Sequence, residues 1–267
     1  MSDPTDVTLD TSGNVYVSNY GLSDSSNPSV TVYPAGASGT VTPIQTITGS
    51  NTELYNPMGI ALDSNRDIYV TNYGSSSIAE YAEGASGNVA PMQIISGSST
   101  GLNRPWGIAV DNAGEIYIGN AGGDDILVFS PGSGGNVAPT RVISGSNTGL
   151  GDPTGVALDS AGNLYVSNPG PHKPSVSIKI YAAGANGNIA PTRTIVGKST
   201  QLQQPMYVAL DASSNIYVSN FFRNKKTNDD DSAVTVYAAG SSGNAPPIQR
   251  LTGPKTSLDF ANGLAVH

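Results

Sequence analysis

The fold is decided by a repeated stretch of sequence, which reads Pro57-Met-Gly-Ile-Ala-Leu-Asp63 and then Asp67-Ile-Tyr-Val-Thr-Asn72 in its second copy. The first run is short, apolar and rich in small residues. The second alternates between apolar and polar side chains, as a half-buried strand does. Equivalent runs begin at five prolines: Pro4, Pro57, Pro105, Pro153 and Pro205. A period of about fifty residues built from short strands predicts stacked repeat units, because one unit cannot bury its own apolar face.

Each copy predicts four short strands, named a to d. In the second copy the runs above are strands a and b, strand c is Ser77-Ile-Ala-Glu-Tyr81, and strand d is Met92-Gln-Ile-Ile-Ser96. Four-stranded antiparallel blades with tight turns are typical of a β-propeller, so we predict an all-β fold of this kind. We expect one domain over residues 1–267, with five blades favoured and six as the alternative. The blade boundaries lie near residues 4–56, 57–104, 105–152, 153–204 and 205–260.

A sixth copy of the repeat begins after the fifth blade. The run Asn262-Gly-Leu-Ala-Val-His267 resembles another strand a. It could replace Asp6-Val-Thr-Leu-Asp10 in the first blade, belong to a six-bladed protein, or pair with another molecule, because an unpaired strand edge invites pairing. We therefore predict a closing or spare C-terminal strand, and we count self-association through it among the expected interactions.

The turn between strands a and b carries an aspartate in every copy. These residues are Asp10, Asp63, Asp111, Asp159 and Asp211. Such a ring could in principle hold a metal ion. However, an Asp side chain at a turn readily accepts hydrogen bonds from amides two or more residues further on. Since every copy has the residue at the same turn, we predict a structural cap.

Composition narrows the classes of function and of location. The formal net charge is −8 and only 12% of residues are charged, which argues against binding to nucleic acid. There is no cysteine, and no apolar run approaches the roughly 18 residues of a membrane span. The start of the sequence lacks the features of a signal peptide. We expect an exported bacterial protein, extracellular or periplasmic, whose signal has been removed, with the cytoplasm as the alternative.

Length variation is confined to one connection in each blade, the loop from strand b to strand c. From the Asn that ends strand b to the aromatic residue of strand c, the spacing is 14, 9, 9, 13 and 17 residues in blades 1 to 5. Loops on a rigid scaffold are where binding residues concentrate. In a five-bladed ring the enlarged blades 1, 4 and 5 are consecutive, which predicts a raised wall along one side of one face. Neutral drift of exposed loops is the alternative.

Residues that break the repeat on this face form the candidate binding site. All are aromatic or contain sulfur, and they are Tyr20, Met58, Tyr73, Trp106, Met206, Tyr207 and Phe221. An apolar, aromatic floor suits a sugar, a peptide or a flat organic ligand. The alternative is that these side chains fill the mouth of the channel and only pack against one another.

Groups for catalysis or metal binding are scarce. The two histidines, His172 and His267, do not pair with a carboxylate at a useful spacing, and we assign no catalytic residue and no cofactor. Asp229, Asp230 and Asp231 in the fifth b–c loop are weak candidates for a calcium site, because oxygen ligands suit this ion. We favour a solvated loop there.

The unit Gly-[Ile/Val]-Ala-[Leu/Val]-Asp-x-x-Gly-Asn-[Ile/Leu]-Tyr-Val-[Ser/Thr]-Asn resembles the NHL repeat. More loosely it is similar to the propeller group that holds the gluconolactonases and virginiamycin B lyase. The resemblance implies a propeller that binds partners. The enzymes of the group use metal-binding acidic and Asn side chains or histidines, whose pattern this sequence lacks.

Three functions remain at this point. The leading hypothesis is a non-catalytic binding or scaffold propeller that recognises a protein, a peptide or a glycan on the b–c face. The second is a metal-dependent lactonase or lyase acting in the channel. The third is a structural subunit that assembles through its C-terminal strand.

Overall fold

The structure, a computed structural model, describes residues 3–21, 27–170, 176–223, 230–256, 258 and 262–266. Within these residues twenty strands form five four-stranded antiparallel sheets, so the chain is a five-bladed β-propeller, as the repeat predicts. Helix in the described part consists of three short 3₁₀ turns: Ala121–Gly123, Lys198–Thr200 and Pro254–Thr256. None of these turns has the length and apolarity needed to cross a membrane.

Each sheet takes four strands that are consecutive in the chain, in the spatial order a, b, c, d. Blade 1 contains β1 Pro4–Leu9, β2 Val15–Asn19, β3 Ser29–Tyr33 and β4 Gln45–Thr48. Blade 2 contains β5 Pro57–Leu62, β6 Ile68–Asn72, β7 Ser77–Tyr81 and β8 Gln93–Ile95. Blade 3 contains β9 Pro105–Val110, β10 Ile116–Asn120, β11 Asp125–Phe129 and β12 Arg141–Ile143. Blade 4 contains β13 Val156–Leu158, β14 Leu164–Asn168, β15 Ser177–Tyr181 and β16 Arg193–Val196. Blade 5 contains β17 Pro205–Leu210, β18 Ile216–Arg223, β19 Asp230–Tyr237 and β20 Gln249–Thr252.

The chain divides into two compact units, which are described separately. The first comprises Met1–Gly123 and Leu127–Thr140, and the second comprises Asp124–Ile126 and Arg141–Val266. In the first unit one apolar core joins blades 1 and 2, formed by Tyr16, Val30, Val32, Ile47, Leu54, Ile60, Ile68, Val70, Ala79 and Tyr81. A second core joins blades 4 and 5, formed by Tyr165, Ile178, Ile180, Ile195, Val208, Ile216, Val218 and Tyr237. Burial between neighbouring sheets is thus the main stabilising contact, as expected for repeats.

The strand c tyrosine of blades 2, 4 and 5 ties its blade to the connection that precedes it. The hydroxyl of Tyr181 donates to the main-chain oxygen of Thr148 at 2.8 Å, and that of Tyr237 donates to Thr200 O at 2.6 Å. Tyr81 makes the same bond to Thr52 O. Because these rings are fully buried, each hydroxyl needs a partner, and the threonine carbonyl provides it.

The aspartate turns are structural caps, as predicted. Asp10 Oδ1 accepts hydrogen bonds from Ser12 N at 2.8 Å and Asn14 N at 2.9 Å, while Asn14 Nδ2 donates to Asp10 Oδ2 at 2.7 Å. Asp159 and Asp211 repeat all three contacts within their own turns. The carboxylates point into their own turns, where they hold the backbone of the a–b hairpin.

The predicted C-terminal strand is not established. Residues 262–266 are half-buried and have no regular secondary structure. A hydrogen bond ties them to blade 5: Ser219 Oγ donates to Asn262 O at 2.7 Å.

Candidate binding site

The b–c face is built from the turns that join strands b and c and from the connections between blades. In the first unit Tyr73 N donates to Asn56 O at 3.1 Å, and in the second Phe221 N donates to Gln204 O at 3.0 Å. Within each unit the two kinds of loop are therefore adjacent.

The Asn that ends strand b holds the connection between blades in place. Asn72 Oδ1 accepts from Tyr55 N at 3.0 Å, and Asn120 Oδ1 accepts from Asn103 N at 2.7 Å. Asn168 and Asn220 do the same for the connections that precede their blades. All of these side chains are buried. The repeated Asn is thus committed to the scaffold and is not free to contact a ligand.

Four aromatic side chains and one arginine meet on the first unit, and we call this group the aromatic cluster: Tyr20, Tyr55, Tyr73, Trp106 and Arg104. The rings of Tyr73 and Trp106 are T-shaped, with centroids 5.7 Å apart and an interplanar angle of 86°. The guanidinium carbon of Arg104 lies 5.8 Å from the centroid of Tyr73, within the range of a cation–π contact. Tyr55 is 58% exposed, so the cluster reaches the surface.

Tyr55 is positioned by a glycine. A Cβ atom at Gly74 would lie 2.6 Å from Tyr55 Cδ1 and 2.5 Å from Asn56 Oδ1, so only glycine leaves room for this ring. The main chain is fixed as well, because Gly74 N donates to Tyr55 O at 3.2 Å. The short b–c turn of blade 2 therefore contains both Tyr73 and Gly74, the glycine that leaves room for the ring of Tyr55.

Trp106 is positioned through its main chain. Its carbonyl oxygen accepts a hydrogen bond from Thr71 Oγ1 at 2.5 Å. The same oxygen would lie 2.5 Å from a Cβ atom at Gly59, so strands a of blades 2 and 3 approach more closely than a side chain would allow. The indole Nε1 of Trp106 is buried and has no hydrogen-bond partner among the described residues.

The electrostatics of the cluster favour a neutral hydroxyl group at Tyr20. Burial raises the pKa of Tyr20, and the nearby hydroxyls of Tyr73 and Tyr55 raise this pKa further. Tyr20 therefore stays protonated at neutral pH and can donate a hydrogen bond. Arg104 is exposed, and its main-chain N donates to Ser76 Oγ at 3.2 Å, which links the connection to the b–c turn of blade 2.

The structure brings together only some of the predicted site residues. Tyr20, Tyr73 and Trp106 belong to the aromatic cluster. Met58 lies in the same unit but is only 5% exposed, and its carbonyl oxygen accepts from Ser18 Oγ at 2.7 Å. Its side chain therefore packs inside the blade and leaves little surface for a ligand.

The other three predicted residues belong to the second unit. Tyr207 is 4% exposed, and its N donates to Ser219 Oγ at 3.1 Å. Met206 and Phe221 are half-buried. Phe221 lies in β18, where it pairs with Ser232 of β19.

Part of the fifth b–c insertion lengthens a hairpin. Strands β18 and β19 each have eight residues, and their pairing continues to Arg223 opposite Asp230. The calcium candidates Asp230 and Asp231 are thus in a strand, while Asp229 lies outside the described residues, as do His172 and His267. Residues 22–26 and 171–175 of the other two insertions also lie outside them, so the wall around one face stays a prediction. In the part of the chain that is described, no group of three His, Cys, Asp or Glu side chains could hold a metal ion.

Sequence reasoning missed Tyr55 and Arg104. Both lie in connections between blades, just after Leu54 and Leu102. A comparison of copies at these two positions would have found them, because the other copies carry small or polar residues such as Gly151, Asp152, Gln203 and Gln204.

Known proteins share the fold. No protein-family model and no curated protein matches the sequence. A protein of unknown function from Bacteroides caccae is similar, with a TM-score of 0.70 and 11% identity over 98% of this chain and 85% of that chain. The periplasmic gluconolactonase PpgL of Pseudomonas aeruginosa has a TM-score of 0.63 and 14% identity over 94% of this chain and 72% of its own. A streptogramin B lyase has a TM-score of 0.54 and 15% identity over 90% of this chain and 70% of its own.

Similarity at these identities concerns the fold alone. It confirms the resemblance to the propeller group of gluconolactonases and streptogramin lyases, whereas the NHL repeat stays a prediction. Enzymes occur among these neighbours. The chain is a five-bladed β-propeller, and its function has to be argued from the residues on its b–c face.

Proposed function

We propose that the chain is a non-catalytic binding propeller that recognises a neutral glycan at the aromatic cluster. The observation that carries this proposal is the T-shaped pair of Tyr73 and Trp106, on the same unit as the exposed ring of Tyr55. The scaffold positions two of the rings: Gly74 leaves room for the ring of Tyr55, and Thr71 donates a hydrogen bond to the main chain of Trp106. A rigid aromatic surface loses little conformational entropy on binding, which favours affinity for a small ligand.

The chemistry of the cluster matches that of a sugar ring. A pyranose presents C–H groups on its faces and hydroxyl groups at its edges. Aromatic faces carry negative potential that attracts the C–H groups, and the Tyr and Trp polar atoms can pair with the hydroxyls. The protonated Tyr20 hydroxyl supplies such a donor.

The size of the cluster favours a small ligand over a protein partner. A stable protein interface buries about 800 Å² on each partner and involves about 20 to 30 residues. The cluster consists of five side chains, of which Tyr55 is the most exposed apolar one. The single cation, Arg104, already lies over Tyr73, so an acidic ligand is not required for charge balance. An exported location, where polysaccharides are abundant, fits this proposal.

Binding of neutral oligosaccharides tests the proposal. Maltotetraose, cellotetraose and chitotetraose would be titrated by calorimetry against the wild type, Trp106→Ala and Met92→Ala. Met92 is also an exposed apolar residue, 48% accessible, but lies at the outer edge of blade 2. At least one sugar should bind, with affinity reduced about tenfold or more by Trp106→Ala, as for an aromatic anchor, and unchanged by Met92→Ala. Equal binding by all three proteins, or no binding to any sugar, would contradict the proposal.

A catalytic propeller is the second candidate, since a gluconolactonase and a lyase share the fold. Hydrolysis of glucono-δ-lactone by the purified wild type, measured with and without added divalent ions, tests it. Turnover that Trp106→Ala abolishes would favour an enzyme, whereas binding without turnover would favour the first proposal.

A further inference from the structure

Strand c of blade 4 contains a lysine where the other blades have uncharged residues. Lys179 lies in β15 and is buried, and the equivalent residues of the other blades are Thr31, Ala79, Leu127 and Thr235. In blades 1 and 5 the threonine hydroxyl accepts a hydrogen bond from the Asn that ends strand b, at 3.1 and 3.0 Å. An ammonium group has no acceptor and cannot take over this role. The hydrogen bonds of the repeat therefore do not account for Lys179.

The amine of Lys179 lies against the connection between blades 3 and 4. A Cβ atom at Gly149 would lie 2.9 Å from Lys179 Nζ and 3.3 Å from its Cε, so the glycine leaves room for the end of the lysine side chain. Glu53 and Gln201 occupy the equivalent position of two other connections, with φ of 58° and 57°, close to the 64° of Gly149. The backbone conformation thus admits a carboxylate side chain, and the connection beside the lysine lacks one.

No acidic side chain among the described residues neutralises Lys179. Its neighbours in the sheet are Val166 of β14 and Thr194 of β16, which are both uncharged. In the adjoining connection Asp152 N donates to Asp124 Oδ1 at 2.8 Å, and neither aspartate forms an ion pair with the lysine. Burial lowers the pKa of the ammonium group, and no nearby carboxylate offsets this effect. A desolvated lysine of this kind has an increased fraction of neutral amine, which is its nucleophilic form.

A buried hydroxyl lies on the same face of β15. Ser177 and Lys179 are two residues apart in the strand, so their side chains point to the same side of the sheet. Ser177 Oγ has no hydrogen-bond partner among the described residues. Its counterpart in blade 2, Ser77 Oγ, is 3.4 Å from the donor Asn72 Nδ2 and 2.9 Å from Ser75 Oγ. One face of blade 4 thus has an amine and a hydroxyl that form no hydrogen bonds within the described scaffold.

We infer that Lys179 is a reactive amine that forms an imine with a small neutral aldehyde. The aldehyde has to be small because the amine is buried, and neutral because a second charge is costly at a desolvated position. The lone pair of Nζ adds to the carbonyl carbon, and a proton moves from the nitrogen to the carbonyl oxygen to give a carbinolamine. The new hydroxyl group then leaves with the second amine proton as water, and a C=N bond forms. The site belongs to the second unit and does not rest on the glycan proposal.

Competitive labelling tests this inference on the unmodified chain. The protein would be treated at pH of about 7 with limiting glycolaldehyde and with cyanoborohydride, which reduces an imine to a secondary amine. Mass spectrometry would quantify each lysine, with the exposed Lys198 as reference and the urea-unfolded chain as the intrinsic rate of each site. Folded Lys179 should be labelled at least about fivefold faster than Lys198, since each unit of lowered pKa raises the neutral fraction about tenfold. Equal or slower labelling of Lys179 would overturn the inference.

Two substitutions at Gly149 separate charge from shape. Gly149→Glu places a carboxylate beside the amine, which favours the protonated form, so Lys179 should be labelled no faster than Lys198. Gly149→Gln has the same shape without the charge and should keep most of the excess. An equal loss in both variants, or an excess that survives Gly149→Glu, would contradict the inference. Circular dichroism would confirm that both variants fold, and if either does not, the wild-type comparison of Lys179 with Lys198 decides alone.

Discussion

Thr71 Oγ1 donates a hydrogen bond to the main-chain oxygen of Trp106 at 2.5 Å, and the same hydroxyl accepts from Gly59 N at 2.8 Å. The buried side chain of Thr71 in blade 2 therefore fixes the position of strand a of blade 3. That strand contains Trp106 of the aromatic cluster. Thr5 in blade 1 and Thr154 in blade 4 donate to carbonyls of the following blades in a similar way. In blade 2 this hydrogen bond holds the main chain of Trp106, a residue of the proposed glycan site.

Replacement of Thr71 by Val should weaken both the fold and the site. The variant keeps the shape of the side chain but leaves Gly59 N and Trp106 O without their buried partner, which typically reduces the free energy of unfolding by about 1 to 3 kcal/mol. Urea unfolding would measure this loss, and calorimetry would show weaker binding of the sugar that the wild type recognises. Thr42→Val, at an exposed position, is the control. If both variants match the wild type, Thr71 does not position the indole.

Replacement of Gly74 by Ala should weaken binding with little effect on stability. The added Cβ atom would come within 2.6 Å of Tyr55 Cδ1, so the exposed ring has to move. Because Tyr55 is already 58% exposed, its displacement removes little buried area. We expect a reduction in sugar affinity of about threefold to tenfold. Ser64→Ala, in the a–b turn of the same blade, should bind as the wild type does.

The architecture could be predicted because the repeat places every blade boundary in phase. Three residues recur in every copy: the proline, the Asp of the a–b turn and the Asn that ends strand b. Each has the same structural role in each blade, so the sequence itself shows the period. The site could be predicted only in part. Tyr73 and Trp106 stand out as departures from the repeat, but Met58 and Tyr207 depart from it as well and are buried. Whether a residue that departs from the repeat faces solvent depends on how closely the inner strands of neighbouring blades pack. The sequence pattern does not show this distance.

Lys179 illustrates the same limit in the second unit. It is 7% exposed, and burial lowers the pKa of its ammonium group. The equivalent residues of the other copies are Thr31, Ala79, Leu127 and Thr235. Spacing alone shows a lysine on strand c, whereas the structure shows that its charge is held at a desolvated position.

Replacement of Lys179 by Met should therefore stabilise the protein, by about 1 to 2 kcal/mol at neutral pH, since an apolar side chain removes the buried charge. The unfolded chain binds more protons than the folded one between the lowered pKa and 10.5, so wild-type stability rises with pH in that window. The advantage of the variant should shrink as the pH rises through it. Unfolding in urea at several pH values measures this, with the exposed Lys198→Met as control. A less stable Lys179→Met would show that the amine makes a favourable contact.

The a–b turns should make stability depend on acid pH. Burial acts to raise the pKa of Asp10, but hydrogen bonds from Asn14 and Ser12 outweigh it and hold this pKa below its usual value. The stabilisation is thus fully present above the unfolded pKa of about 3.9 and is lost as the pH falls through the folded pKa. Asp10→Asn should lower the free energy of unfolding by about 1 to 3 kcal/mol at pH 7. The difference from the wild type should become smaller as the pH falls below the unfolded pKa, and a difference that stays constant with pH would contradict this role of the charge.

The central claim, that a glycan binds against the aromatic cluster, can be measured on the unmodified protein. The chain contains one tryptophan, so fluorescence excited at about 295 nm reports on Trp106 alone. Titration with the neutral oligosaccharides should change the intensity and shift the emission to shorter wavelength, with a saturation curve that matches the calorimetric affinity. A sugar that binds by calorimetry while the emission of Trp106 remains unchanged would place the ligand elsewhere and contradict the account.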